Sequence, residues 1–258
     1  MSALLECFDV SVAYGGVHAV DDVSLRIEAG TLVGLIGPNG AGKTSLIDAI
    51  SGFTPTAGGR VVFDGTDLAG RQPHHRARLG MARTFQSLEL FDDLSVRDNL
   101  LAAAEQPRWW SVFADLVHPG RADASTGVVD HVLDVLGIAD LADRSPDAIS
   151  QGQRKLVGVG RALAARPRIL LLDEPASGLD TAESSELGTR LRRLRDEGHT
   201  ILLVDHDMGL VLNVCDVVYV LDFGQVLAAG TPAEIRDDTA VVDAYLGAQA
   251  HTTRDEPR

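Results

Sequence analysis

The run GPNGAGKT, Gly37 to Thr44, limits what this chain can fold into more than any other stretch. It matches G-x-x-x-x-G-K-[ST] in full and stands between a strand-like apolar run, TLVGLIG, and a helical run, SLIDAISG. Glycines at these positions let backbone N–H groups turn inward and meet phosphate oxygens at a helix start. Lys43 can then reach the β- and γ-phosphates of a nucleotide, and the Thr44 hydroxyl can ligate Mg²⁺. A glycine-rich turn that merely caps a helix is the plainer alternative, and the flanking strand and helix argue against it.

Two further apolar runs, RILLLDEP and TILLVDHD, also pass from a buried-type strand straight into polar residues, with helical patterns between. This spacing predicts an α/β fold with a mostly parallel sheet. A carboxylate ending a parallel strand lies at the sheet edge where ligands bind, so Asp173 is read as holding magnesium through its water shell. Glu174, the next residue, is placed to orient the attacking water or take its proton; the alternative is an acidic residue opening the turn before Pro175. Gln86, in ARTFQSLELF, and His206, in LLVDHDM, can reach a γ-phosphate by hydrogen bonding, although taken singly each is also an ordinary loop or structural group.

Before Gly30, LLECFDVSVAYGG and HAVDDVSLRIEAG read as strands, and GRVVFDGTDL adds a third with an Asp-Gly turn, so an antiparallel flank is expected. From Ser95 to Ala165 the pattern turns helical, with SVRDNLLAAAEQ and GVVDHVLDVLGIADLADR the clearest amphipathic pieces. The expected organisation is one nucleotide-binding unit over 1–250. Its core spans about 1–94 and 166–230, with an inserted helical subdomain at about 95–165, and 251–258 forms a flexible tail. Trp109, Phe113 and Leu116 fall on one helical face, read as core packing or as an exposed partner contact. RQPHHRARLG is read as a solvated basic helix without metal-ligand spacing.

A formal charge of −14 disfavours a nucleic-acid surface, which needs clustered Lys and Arg. No apolar run approaches the ~20 residues that cross a bilayer, and the start lacks a secretion signal. A cytoplasmic protein is expected. Cys7 and Cys215 are read as two isolated, partly buried thiols with no disulfide framework.

ISQGQ, Ile149 to Gln153, has Ser150 and Gln153 at capping-box spacing before an amphipathic run. A capped helix start exposes N–H groups and the positive dipole end, which is also what binds a phosphate. With this stretch added, the chain resembles the ATP-binding subunits of ATP-binding cassette (ABC) transporters over nearly its whole length. The order of motifs carries the resemblance: Tyr14, the phosphate loop, Gln86, the signature at Ser150–Gln153, Asp173 and Glu174, SGLD ending at Asp180, then His206. It implies a RecA-like P-loop NTPase core that binds ATP and Mg²⁺. Gly37, Pro38, Asn39, Gly40, Ala41, Gly42, Lys43, Thr44 and Ser45 would hold the nucleotide, with Tyr14 stacked on adenine. Thr44, Gln86 and, through water, Asp173 would serve the metal. Glu174, His206 and Gln86 would serve hydrolysis, while Ser150, Gly152, Gln153 and Asp180 would act across a dimer seam on the other chain's ATP. Gln151 replaces the usual first glycine of the signature.

Within that family the chain looks most like the larger ATPase subunit of branched-chain amino acid importers; ATPases for urea, amide or lipopolysaccharide transport are similar. The resemblance implies a second ABC ATPase subunit, identical or homologous, and transmembrane permease subunits. It also implies an extracytoplasmic substrate-binding protein and a location on the inner face of the cell membrane. A soluble non-transport ABC ATPase and a non-hydrolysing nucleotide-binding regulator are the competing classes.

Overall fold

The computed structural model describes residues 3–85, 90–105 and 120–252. Its chain opens with β1 (Ala3–Tyr14) and β2 (Val17–Glu28), an antiparallel hairpin whose turn residues Gly15 and Gly16 both have positive φ, 55° and 87°. That turn matches the twist of paired strands, and glycine adopts it without steric penalty. β4 (Gly58–Phe63) pairs with β1, and β5 (Thr66–Asp67) with β4 across Asp64–Gly65, giving a four-stranded sheet of order β2-β1-β4-β5.

The second sheet has six strands in the order β10-β9-β3-β8-β7-β6. β3 (Leu32–Ile36), β7 (Ile169–Asp173) and β8 (Ile201–Val204) are the three apolar runs read from sequence, and every residue in them is buried. β6 (Met81–Arg83) and β9 (Val217–Asp222) extend the parallel part, and β10 (Gln225–Gly230) closes it antiparallel. Sequence reading passed over β6 because three residues show no period; only pairing with β7 makes them a strand.

Alternation along the buried strands divides the core in two. Leu32, Ile36, Leu170, Leu172, Ile201 and Leu203 face one cluster, while Val33, Leu35, Ile169, Leu171, Leu202 and Val204 face the other. Covering both faces is what makes such strands continuous apolar runs. The second cluster lies against the β1–β2–β4 sheet and α1 (Lys43–Ser51). The first is filled by α3 (Val96–Ala104), α4 (Gly120–Val135) and α5 (Gln151–Ala164), which pack on one another, and by α6 (Thr181–Asp196) and α7 (Met208–Val214). α8 (Pro232–Asp237) and α9 (Thr239–Thr252) end the described chain.

Two sequence expectations change. GVVDHVLDVLGIADLADR is not one helix: α4 stops at Val135, Gly137 takes φ 62°, and a short 3₁₀ turn follows at Ala139–Leu141. RQPHHRARLG contains a short helix, α2 (Pro73–Arg78), but it is not simply solvated. Arg76 is buried and donates to the carbonyls of Ala49 and Ile50 at 2.7 Å, of Arg71 at 3.0 Å and of Leu68 at 3.1 Å. A cation there satisfies carbonyls in the last turn of α1 and complements that helix's negative end.

Candidate functional site

Parallel pairing brings several loops to one edge. β3, β7 and β8 are in register, with Leu35 opposite Val204 and Val204 opposite Asp173, so the segments after Ile36, Asp173 and Val204 leave the sheet side by side. The phosphate loop fills the first position. A Cβ on Gly37 would lie 2.2 Å from the Leu221 carbonyl oxygen, and one on Gly42 (φ 100°) 2.3 Å from that of Ala19, so both positions require glycine. No side chain caps the start of α1, which leaves its first N–H groups available to an anion. Outside the loop, the Gly224 N–H donates to the Ala41 carbonyl at 3.1 Å and the Asp21 N–H to Gly224 at 2.8 Å, bracing it against β2 and the β9–β10 turn. Lys43 donates to the carbonyls of Gly37 (2.7 Å) and Pro38 (2.9 Å). Burial holds its ammonium below the ordinary lysine pKa, opposed by the charges of Glu174, Asp205 and Asp173. Tyr14, half exposed at the end of β1, has its hydroxyl 3.3 Å from Thr54 Oγ1.

Asp173 is 4 % exposed, and its two oxygens differ. Oδ2 accepts from Arg83 Nη2 at 2.8 Å, whereas Oδ1 is buried without a hydrogen-bond partner among the described residues. A buried bare carboxylate oxygen beside a phosphate loop is the donor that a hard, oxygen-seeking cation takes, and with the Thr44 hydroxyl it fits magnesium. Glu174 has φ 48°, a left-handed conformation unfavourable for a side chain of its size. It is held there by its N–H to the Val204 carbonyl (2.7 Å) and by the Ser177 N–H to its own carbonyl (3.2 Å). Strain of this kind is tolerated where the surroundings over-determine it, commonly at functional sites.

Asp205, which the sequence reading did not single out, organises the third loop. Fully buried, it accepts the N–H groups of His206 (2.8 Å) and Asp207 (3.0 Å) on Oδ1 and that of Ala176 (3.1 Å) on Oδ2. It thereby ties the loop after Glu174 to the loop carrying His206, whose half-exposed ring puts Nδ1 3.6 Å from Asp205 Oδ1. An Asp that ends a buried strand is the signal that was available, since it must find partners.

The capping box at Ser150 is present: the Gln153 N–H donates to Ser150 Oγ at 3.2 Å, and the Ser150 N–H to Gln153 Oε1 at 2.9 Å. Ser150 Oγ is an acceptor within the box, so its own proton stays available to an incoming oxygen. Asp180 caps α6 in the same way with Glu183, at 2.8 and 3.2 Å, a local role the motif reading missed. The two helix starts touch: a Cβ on Gly152 would lie 2.6 Å from Glu183 Oε1, and buried Lys155 donates to the Ser177 carbonyl. Gly152 thus faces Glu183, whereas the neighbours of the phosphate loop are Ala19, Leu221 and Gly224.

Gln86 and the Trp109, Phe113, Leu116 face lie outside the described residues. Among the described residues no His, Cys, Asp and Glu cluster forms a metal site, and no helix is long and apolar enough to cross a membrane. Phe53, Phe85 and Phe91 are exposed, the first two in edge contact at 5.4 Å.

Known proteins resemble this chain along most of its length. Residues 20–177 match the family model described as ABC transporter, and residues 225–251 match that described as branched-chain amino acid ATP-binding cassette transporter. The high-affinity branched-chain amino acid transport ATP-binding protein BraF of Pseudomonas aeruginosa is 37 % identical over 249 residues, covering 95 % of this chain and 98 % of that protein. The lipopolysaccharide export system ATP-binding protein LptB of Escherichia coli K12 is 36 % identical, covering 95 % and 98 %. The crystal structure of the ADP conformation of MJ1267, an ATP-binding cassette of an ABC transporter, superposes with a TM-score of 0.83 at 30 % identity, covering 96 % of this chain and all of that one.

Proposed function

We propose, on the premise that this chain belongs to the ABC transporter family of ATPases, that it binds and hydrolyses ATP to drive import of branched-chain or similar amino acids through separate membrane subunits. The convergence of the phosphate loop, Asp173, Glu174 and His206 on one sheet edge carries the ATPase reading. The C-terminal match over residues 225–251 favours amino acid import.

In this reading Gly37 to Ser45 hold the phosphates with backbone N–H groups and Lys43, and Tyr14 stacks on the base. Thr44, Gln86 and Asp173 serve Mg²⁺, Asp173 through water. When bound, the metal neutralises charge on the β- and γ-phosphates. Glu174 orients a water and accepts its proton as the water oxygen bonds to the γ-phosphorus and the bond to the leaving ADP oxygen breaks. His206 and Gln86 hydrogen-bond the γ-phosphate. Gly152 lies against Glu183, and none of its nearest neighbours belongs to this chain's own phosphate loop, which supports a head-to-tail pair with a second ATPase subunit. There Ser150, Gly152 and Gln153, with Asp180, meet the partner's ATP. The exposed Phe53, Phe85 and Phe91 support a permease contact, and a substrate-binding protein completes an importer. The subunit then works on the cytoplasmic face of the membrane.

Replacing Glu174 with Gln tests the chemistry. ATP binding is expected to persist, turnover to fall by about 100-fold or more, and the ATP-bound dimer to live longer; unchanged hydrolysis overturns the assignment. Transport is tested by co-purifying the chain from membranes and measuring ATP-dependent leucine, isoleucine and valine uptake into vesicles holding the complex. Recovery without any membrane subunit refutes that reading.

A further inference from the structure

We propose that Arg83 is a positioning residue for Asp173, holding one carboxylate oxygen so that the other alone is presented to magnesium, and fixing the acid to the helix that starts the phosphate site. The proposal rests on the reading of Asp173 as the carboxylate that serves the metal.

Arg83 ends β6, and its side chain is 7 % exposed. Nη2 donates to Asp173 Oδ2 at 2.8 Å, while Nη1 donates to Asp48 Oδ1 at 2.5 Å and to Ser51 Oγ at 2.9 Å. Asp48 and Ser51 both belong to α1, the helix that Lys43 begins. One guanidinium therefore links the end of β7 to the body of the phosphate-loop helix.

The manner of this link is informative. An arginine and a carboxylate that serve only stability favour a forked pair, with two parallel N–H···O bonds that satisfy both oxygens. Here the grip is divided, and two buried atoms lack partners among the described residues: Arg83 Nε and Asp173 Oδ1. A forked pair would match these two to each other. Leaving both bare is unfavourable in a buried pair, so the arrangement makes sense where Oδ1 is reserved for another partner. The rings of Phe85 and Phe53, with centroids 5.0 and 5.7 Å from Arg83 Cζ, add contacts that orient the guanidinium. Lysine keeps the charge but lacks the planar fork that reaches Asp173, Asp48 and Ser51 together.

Without that grip Asp173 is free to turn toward the ammonium of Lys43, which already feels its charge. Such a pair would withdraw the carboxylate from the metal.

The test uses the full chain and a fluorescent ADP analogue, with affinity measured in Mg²⁺ and in EDTA; the ratio of the two is the magnesium coupling. Asp173→Asn is expected to abolish it. Arg83→Lys is expected to preserve affinity in EDTA and to cut the coupling by about 10-fold or more, as loss of a metal ligand's supporting partner does. A coupling lost in Asp173→Asn but unchanged in Arg83→Lys overturns the role of Arg83 and leaves Asp173 standing. Full coupling in Asp173→Asn overturns the reading of Asp173, and this proposal with it. Should Arg83→Lys fail to fold, Asp48→Asn loosens the other end of the same grip; a smaller drop in coupling supports the proposal, and an unchanged ratio overturns it.

Discussion

Gly152→Ala separates what the signature helix needs for folding from what it needs for function. The added methyl would lie 2.6 Å from Glu183 Oε1 and 2.9 Å from its Cδ, closer than real contacts allow, so the Glu183 carboxylate has to move. That carboxylate accepts the Asp180 N–H at 3.2 Å in the capping box of α6. Losing this half of the box costs about 1 kcal/mol. Against it stands the helix preference for alanine over glycine, roughly 0.5–1 kcal/mol. The net change in unfolding free energy is near zero, and the Tm shift stays within about 4 °C for a chain of this size. Function responds differently under the proposed head-to-tail pairing, because pushing Glu183 aside shifts the helix start that would meet a phosphate on the partner chain. Nucleotide binding to the isolated subunit should be unchanged, while ATP turnover of the assembled complex falls by about 100-fold. Denaturant unfolding of the subunit and steady-state ATPase of the complex measure the two effects. A double-mutant cycle with Glu183→Ala supplies the internal check: without the carboxylate, Gly152→Ala becomes neutral or stabilising, a coupling of about 1 kcal/mol. Destabilisation above about 3 kcal/mol, or no coupling with Glu183, refutes the reasoning.

Asp205→Ala should remove the acceptor of three backbone N–H groups in two loops, lowering unfolding free energy by about 2–4 kcal/mol and slowing turnover; urea unfolding with stability unchanged sinks its organising role. Burial pushes the Cys7 thiol from 9.0 up to about 12 and raises that of Cys215 as well. Both should therefore resist an aromatic disulfide reagent at pH 8 until the chain unfolds, and rapid native labelling would contradict their burial. The sign for stability follows: well below pH 9 the thiols are protonated in both states, whereas as pH rises through 9 toward about 12 the unfolded chain ionises first. Stability should fall with rising pH across that window, and a flat denaturation midpoint for the native chain against a Cys7→Ala, Cys215→Ala variant would refute it.

Much of the candidate site was legible in the residues because the motifs that mark it have local requirements. A phosphate loop needs glycines at set positions and a lysine beside the helix start, and GPNGAGKT contains all of them in one stretch. Capping boxes span four residues, so ISQGQ announced the start of α5, and continuous apolar runs announced β3, β7 and β8 because strands covered on both faces have no polar side to show. Each of these features compares a residue only with its near neighbours in the chain. Residues whose meaning depends on distant partners were not legible. Arg83 and Asp173 are 90 positions apart, Asp205 and Ala176 29, Arg76 and Ala49 27. An arginine in MAR or in PHHRAR reads as a solvated charge, since sequence does not say which carboxylates or carbonyls will surround it. Burial reverses that reading: a cation or carboxylate taken out of water has to be met by whatever groups the fold brings to it. The sequence by itself therefore determined the fold class and the phosphate cradle. Only the tertiary structure decided which charges hold that cradle in place, because long-range packing sets who meets whom once water is excluded.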